Sequence, residues 1–352
     1  MTDLIFTEET RKTVLPIVYQ GVWELYKRQE ASSWHAHEVN LSQDIVDWQR
    51  LNFDQQHFIK MVLAFFASSD VIINENLSAR FINDVKPLEI KILYDFQKMM
   101  ENIHSEMYAL LIDTYISDPV EKTHLFNAVK TIPVITEMSA WATRWMRSDE
   151  PYCVRLIAFA AFEGILFSGP FCSIYWIKSK GMMPGLAESN DFIARDESMH
   201  VETSQTIHEL LKVKCPAEQF NAIVTEAVEL EIKFIIHALP CRLIGINADS
   251  MIEYIKYVAN RFAAQFGYAE IYPNINMPFP FMDKIALKSK KNTFEVRANE
   301  YNKGDHRAGD PYIGLQNKTV HPRRPHALGE HTTYRTTSTT SKPPQTDHQA
   351  AN

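Results

Sequence analysis

The chain has 352 residues, 45% of them hydrophobic, with 36 basic against 43 acidic side chains and a net charge of −7. That length and apolar content are enough for one large or two ordinary domains with a sizeable core. The mild acidity argues against a nucleic-acid-binding surface as the main function, so no nucleic acid is expected as a partner.

Residues 1–30 mix polar and aromatic groups, with Trp23 and Tyr26 on a helix-like stretch that ends near Glu30. The run from Ser32 to His37 breaks that pattern, and Ser42 is placed to cap the next helix. Over 54–77, Phe58, Met61, Val62, Phe65, Phe66, Ile72 and Ile73 recur at helical spacing, with Asp70 inside the apolar run. A helix over 88–116 follows. A polar connection at 117–122 leads to another helix that Ile132-Pro133 ends, and 138–146 is helical again, with Trp141 and Trp145 four apart. The most hydrophobic helix, 154–178, contains one acid, Glu163, and Pro170 is expected to kink or unwind it by removing a backbone donor.

A breaker at 181–185 precedes a helix capped by Ser189 or Asn190 and running to about Lys212, and further helices are expected over 217–239 and 248–266. Strand signals are scarce, so the expected fold is all-α. Past Tyr301 the composition turns to Thr, Ser, Pro, His, Arg and Gly. Such a segment buries too little apolar surface to offset its ordering entropy. The expectation is a helical domain over 1–300 and a disordered tail over 301–352.

The four cysteines, Cys153, Cys172, Cys215 and Cys241, lack Cys-x-x-Cys spacing, which favours buried thiols in a reducing compartment over disulfides or a zinc site. Residues 1–9 lack a signal-peptide pattern. No apolar run reaches the ~18–20 residues that span a bilayer; the longest, over 156–171, follows Arg155 and is interrupted by Glu163. A soluble, cytoplasmic protein without a membrane span is expected.

The chemistry gathers around 100–108. Glu101 and His104 form a Glu-x-x-His pair, and Tyr108 lies one turn further on; positions three and four apart share a helix face. Glu197 and His200 repeat the spacing on another long helix. One such pair is within chance, but two on separate helices are what a carboxylate-bridged dinuclear metal site in a helix bundle requires. An ionised carboxylate among apolar side chains needs a cation or a proton, and Asp70 and Glu163 supply two more from two further helices. Four carboxylates nearly neutralise two divalent metals, and hard oxygen donors with one imidazole per metal suit iron or manganese. Taken singly, His104 and His200 are as well explained as hydrogen-bonded histidines, and Glu101 and Glu197 as ordinary helix residues. Asp196 reads either as a solvent-facing acid or as the carboxylate that orients a metal-bound imidazole. Tyr108 reads as a core aromatic, or as a phenol close enough to a metal pair to be oxidised. Phe167 and Ile193 are placed to line its pocket and are equally explained as core.

The chain resembles the small, radical-generating subunit of class I ribonucleotide reductase, most of all the form found in eukaryotes and large DNA viruses. The likeness runs from about Trp23 to Tyr301 and is carried by 30–34 (EASSW), 63–70 (LAFFASSD), 100–108, 162–169 (FEGILFSG), Ser189-Asn190, Arg195-Asp196-Glu197 and Leu243-Ile244-Gly245. It implies a ferritin-like helix bundle with additional helices. Asp70, Glu101 and His104 would bind one iron and Glu163, Glu197 and His200 the other, two iron ions per chain, with Glu101 bridging. Tyr108 would hold the stable radical formed when the site reacts with dioxygen. Trp34, Asp196 and His104 near the metal and Tyr301 near the tail would relay the oxidising equivalent to a separate large subunit, which reduces ribonucleotides to deoxyribonucleotides. The small subunit would be a homodimer.

Two departures stand out. Family members of this type end shortly after the tail tyrosine in an acidic-aromatic peptide that docks on the large subunit. Here about fifty residues follow Tyr301 without a terminal Phe, and Tyr312 and Tyr334 are alternative tail relays. His35 and His37 stand where the family usually has other residues. The competing readings are a different dimetal oxygenase on the same bundle and an iron-binding or storage protein.

Overall fold

Helices make up the regular structure of the computed structural model, which describes residues 3–9, 11–238, 246 and 248–282. The described residues lie within one unit, Met1–Thr293, and contain no β-strand. Tyr301, Tyr312, Tyr334, Cys241, the 243–245 motif and the whole 301–352 segment lie outside them.

After helix α1 (Gln20–Ala31), the expected break over 32–37 is present, with one short turn at Ala36–Glu38. Helix α2 (Ser42–Trp48) begins at Ser42 itself. Ser42 is therefore not its cap: the Ser42 N–H donates to Asn40 Oδ1 at 2.9 Å, so the polar side chain that closes this turn lies two residues earlier. Helix α3 (Phe53–Asn76) starts on a reciprocal pair, in which Gln55 N–H donates to Asn52 Oδ1 at 2.9 Å and Asn52 N–H to Gln55 Oε1 at 3.0 Å. It continues through a π turn at Leu77–Phe81.

Helix α4 (Leu88–Tyr115) starts where expected and ends one residue earlier, with Ile116 already extended. The expected polar connection after it already contains the start of α5 (Pro119–Phe126), where Asp118 accepts from Val120 N–H at 3.0 Å. Pro133 likewise opens α6 (Pro133–Arg147). Proline suits the first helical position, where its missing N–H would have had no partner.

The long apolar helix is two helices, α7 (Tyr152–Ala161) and α8 (Ser168–Ser179), joined by a π turn at Phe162–Leu166 that carries Glu163. The interruption expected at Pro170 thus falls a turn earlier. Pro170 sits in the first turn of α8, where its lost donor is no penalty.

Helix α9 (Pro184–Leu210) starts well before the expected caps, and Ser189 and Asn190 are buried inside it. Its N-terminus is capped from α2: Asp44 accepts from Gly185 N–H at 2.8 Å, Leu186 N–H at 2.7 Å and the Tyr115 hydroxyl at 2.6 Å. A Cβ at residue 185 would lie 2.7 Å from the Asn40 carbonyl oxygen, so only glycine lets the two segments meet. Asp44, fully buried, thereby ties α9 to the far end of α4. Helices α10 (Ala217–Ala238) and α11 (Ala248–Gln265) follow, and, among the described residues, three short helical pieces lie at Leu4–Thr7, Ile82–Asp84 and Ala128–Thr131.

Helix α4 packs against α3, α1 and α9, and α9 packs against α7, α8 and the π turn between them. The four ligand-bearing segments identified from sequence, on α3, α4, the π turn and α9, therefore surround one core. Contrary to the sequence expectation, two stretches, Phe53–Asp84 and Tyr152–Ser179, are long and apolar enough by composition to cross a membrane. The second is 94% buried within the protein over its most apolar window, the pattern of a core helix.

Candidate metal centre

On α4 the side chains of Tyr94, Gln97, Glu101, His104 and Tyr108 follow one another at steps of three and four, and all are buried. This stripe faces α3, which contributes Asp70, and α9, which contributes Asp196, Glu197 and His200; the π turn adds Glu163. Asp70, Glu101, His104, Glu163, Glu197 and His200 are each no more than 2% exposed.

They form two overlapping groups, Asp70–Glu101–His104 and Glu101–Glu163–Glu197–His200, with the potential ligand atoms of each within 4.8 Å of one another. Glu101 belongs to both. His200 Nδ1 lies 3.0 Å from Glu101 Oε1, 3.1 Å from Glu197 Oε2 and 4.0 Å from Glu163 Oε1. His104 Nδ1 lies 3.2 Å from Glu197 Oε1 and 3.5 Å from Glu101 Oε2. Glu163 Oε1 accepts from Gln97 Nε2 at 2.7 Å, a contact not anticipated from sequence.

Electrostatics follow from burial and crowding. Burial, then the Glu101 charge, pushes the Asp70 carboxyl well above the usual carboxylate range; burial raises Glu163 in the same way, reinforced by Glu197 and Glu101 against the pull of His200. Burial works against the protonated forms of His104 and His200, but the surrounding carboxylates outweigh it and hold both imidazoles well above their ordinary value. Glu197 is held low despite burial, by His200 and His104. Such a set either takes up protons or binds cations.

The fit to metal is visible in the partners these atoms lack. Both Asp70 oxygens, both Glu101 oxygens, Glu163 Oε2, Glu197 Oε1 and His104 Nδ1 are buried without a hydrogen-bond partner, although buried polar atoms normally have one. The cluster can hold two divalent cations, with hard oxygen donors and one imidazole per group.

His104 is oriented from behind. Its Nε2 lies 3.1 Å from Asp196 Oδ2, which also accepts the Trp34 indole N–H at 2.7 Å; the Trp34 and His104 rings stack with centroids 6.1 Å apart. Asp196 Oδ1 accepts from Arg195 Nε and Nη2 at 3.2 and 3.1 Å, and Arg195 also reaches the Ser32 carbonyl at 2.7 Å. Burial opposes ionisation of Asp196, but His104, Arg195 and Trp34 together hold it below the usual range. Arg195 belongs to a motif of the family likeness but sequence assigns it no role, and Gln97 carries no sequence signal beyond its place on the α4 face.

Tyr108 is 3% exposed, and its ring stacks on Phe66 with centroids 4.8 Å apart. Phe167 meets Phe66 edge-on at 5.2 Å, so Phe66 is the wall next to Tyr108 and Phe167 the one behind it; Ile193 is buried one turn before Glu197. The Tyr108 hydroxyl has no hydrogen-bond partner, and burial followed by the nearby Asp70 charge keeps its proton well above the usual phenol range. His35 and His37 stack on each other at 5.4 Å on the surface. A third Glu-x-x-His, Glu121 and His124, lies on α5, where His124 is exposed and Glu121 pairs with Lys60 at 2.6 Å. The spacing alone is therefore not the signature; burial on facing helices is.

The family model for ribonucleotide reductase, small chain, matches residues 11–278. A ribonucleoside-diphosphate reductase small chain from Arabidopsis thaliana is 49% identical over 294 residues, covering 83% of this chain and 88% of that one. The corresponding small chain of Variola virus is 46% identical over 303 residues, covering 86% and 95%. Among solved structures, the ribonucleotide reductase Rnr4 homodimer from Saccharomyces cerevisiae matches with a TM-score of 0.74 and 35% identity, covering 82% of this chain and 92% of that one. Sequence and ferritin-like helical architecture agree: the chain belongs to the ribonucleotide reductase small-chain family.

Proposed function

We propose that the buried cluster is a di-iron centre whose oxidising equivalent is stored on Tyr108 and passed out through Trp34 to a ribonucleotide reductase large subunit. In this reading Asp70, Glu101 and His104 would hold one iron and Glu163, Glu197 and His200 the other, with Glu101, common to both donor groups, available to each. The observation that carries it is the sharing of Glu101 between two donor groups on the same α4 face as Tyr108. Manganese suits the same donors. When bound, the metal pair supplies the one-electron oxidising power that dioxygen provides.

The chain's own residues do the rest. Tyr108 would give one electron to the oxidised metal pair and its hydroxyl proton toward Asp70, the carboxylate that acts on it most strongly, to become a neutral tyrosyl radical. Phe66 and Phe167 keep water and reductants away from it. His104, Asp196 and Trp34 form an unbroken hydrogen-bonded and stacked path away from the metal side, in which Asp196 Oδ2 is the shared acceptor for both partners' N–H groups. An indole oxidised there can leave its Nε1 proton on that carboxylate. Tyr301, or Tyr312 or Tyr334, continues the relay from the tail to the large subunit, where ribonucleotides are reduced to deoxyribonucleotides.

A homodimer is proposed by likeness to the yeast structure. A cytoplasmic protein outside any membrane and without nucleic acid as a partner is part of this reading: Tyr152–Ser179 packs as a core helix, 94% buried over its most apolar window, and the net charge is −7.

Anaerobic loading with ferrous iron followed by oxygen exposure tests the proposal. A tyrosyl radical EPR signal is expected that Tyr108→Phe abolishes while metal binding persists. A signal of unchanged intensity in Tyr108→Phe would move the radical elsewhere.

A further inference from the structure

Outside the cluster, the core holds another acid that the proposed chemistry does not use. Glu231, on α10, is fully buried. Its Oε1 accepts from Gly169 N–H at 3.1 Å, and its Oε2 has no hydrogen-bond partner. A solitary carboxyl in an apolar core is costly to keep, which directs attention to what its one bond holds.

Gly169 is the second residue of α8, directly after the π turn. The first N–H groups of a helix have no partner within it, and here the helix begins inside the core, with Ser168, Gly169 and Pro170 all buried. Pro170 has no N–H to satisfy, and Phe171 N–H bonds back to Phe167 O at 3.1 Å. Gly169 N–H is the donor that reaches across to another helix. The approach is tight: a Cβ at residue 169 would lie 2.3 Å from Glu231 Oε1 and 2.9 Å from Ile235 Cδ1. Glycine and glutamate are matched at this point. Between α7 and this anchor lie seven residues, 162–168, that carry both Glu163 and Phe167. A π turn closes its hydrogen bonds with one residue more than an α turn, and such turns recur at functional sites. Ser168 Oγ donates to the Ile165 carbonyl at 2.7 Å inside this segment, and the Gly169 N–H bond to Glu231 ties its end to another helix.

We infer that Glu231 is a positioning residue for the metal centre: by accepting the Gly169 N–H it fixes the junction of the π turn with α8, and so the place of Glu163 in the ligand set and of Phe167 against Phe66, the wall next to Tyr108. The inference rests on Glu163 being a ligand, as proposed above. Burial pushes the Glu231 carboxyl well up, favouring its neutral form, which glutamine matches in size and shape.

The test measures anaerobic Co²⁺ binding to the full chain by titration and by visible absorption, alongside circular dichroism for the fold. Glu231→Gln should bind as the wild type does. Glu231→Leu should remain helical but lose about tenfold in affinity, with changed ligand-field bands, as expected when the support of a metal ligand is removed. Gly169→Ala should show the same loss, and adding Glu231→Ala to it should restore part of the affinity by relieving the contact.

Glu163→Ala separates the two ideas. If it leaves Co²⁺ binding intact, the ligand assignment fails. If Glu163→Ala weakens binding but folded Glu231→Leu and Gly169→Ala both bind as wild type, the positioning role fails. Glu231→Gln binding as weakly as Glu231→Leu would also overturn it, by showing that acceptance of the Gly169 N–H is not what matters. Should Glu231→Leu not fold, Gly169→Ala with its partial rescue decides.

Discussion

Replacing Asp196 by asparagine tests how far the metal centre depends on the carboxylate behind His104. Asp196 Oδ2 serves Trp34 Nε1 at 2.7 Å and His104 Nε2 at 3.1 Å, while Oδ1 serves two nitrogens of Arg195. An amide has a single acceptor oxygen, so one of these pairs must meet an NH2 group. Arg195 carries the stronger demand for oxygen, which leaves the amide nitrogen facing Trp34 and His104. His104 then moves its proton from Nε2 to Nδ1. That nitrogen lies 3.2 Å from Glu197 and 3.5 Å from Glu101, inside the donor set, and once protonated it has no lone pair for a metal. Loss of such a partner typically weakens metal binding 10- to 100-fold, or about 1.4–2.7 kcal/mol. Anaerobic ferrous titration against a competing chelator reads this directly. The loss should fall on the site built from Asp70, Glu101 and His104 and spare the one built from Glu163, Glu197 and His200. Two site affinities both within about twofold of wild type, in a folded Asp196→Asn protein, would refute the tautomer argument.

Other outcomes follow from the same geometry. Trp34→Phe keeps a ring against His104 but removes the indole N–H; metal loading and the Tyr108 EPR signal should survive while ribonucleotide reduction with the large subunit is lost, and retained turnover would remove Trp34 from the path. Because Asp70 and Glu163 are held well above the usual carboxylate range, divalent metal should displace protons on binding and bind more weakly as pH falls, which a pH indicator in weak buffer would record. Asp196 is shifted the other way. Its ionised form stabilises the fold in full above its unfolded pKa, near 4, and that contribution fades as pH falls through its lower folded value, so acid unfolding of Asp196→Asn should be less steep there. Asp44→Ala strands three buried donors at roughly 1–3 kcal/mol each; urea unfolding should register a loss of at least ~3 kcal/mol, and one under ~1 kcal/mol would contradict the capping role.

Much of this was legible in the chain itself, for identifiable reasons. Helix α3 carries apolar residues at helical spacing, and acids among apolar residues at Asp70 and Glu163 announce themselves by their cost. The spacing of Glu101 with His104 and of Glu197 with His200 pointed to the cluster, but Glu121 with His124 has the same spacing on an exposed helix. What separates them is which faces meet, and that is a tertiary fact. The start of α9 was misplaced for a similar reason: its cap, Asp44, lies 141 residues from Gly185, while Ser189 and Asn190 look like caps only locally. The break in the apolar helix was foreseen from Pro170 but shifted upstream to the π turn, because proline is free of penalty once it stands in a first turn. Gln97 and Glu231 were silent for the same reason. Their one informative contact is to a residue far away in sequence.

Burial of the ligands has a kinetic consequence. None of the six reaches bulk water, and they are contributed by four separate stretches of chain. A cation cannot exchange with solvent by swapping one ligand at a time at the surface; a part of the bundle must first open. At high metal concentration the loading rate should therefore stop rising and level off at the opening rate of that part of the bundle. The plateau would serve as a clock for native-state breathing, and amide hydrogen exchange along the ligand-bearing helices would identify the part that moves.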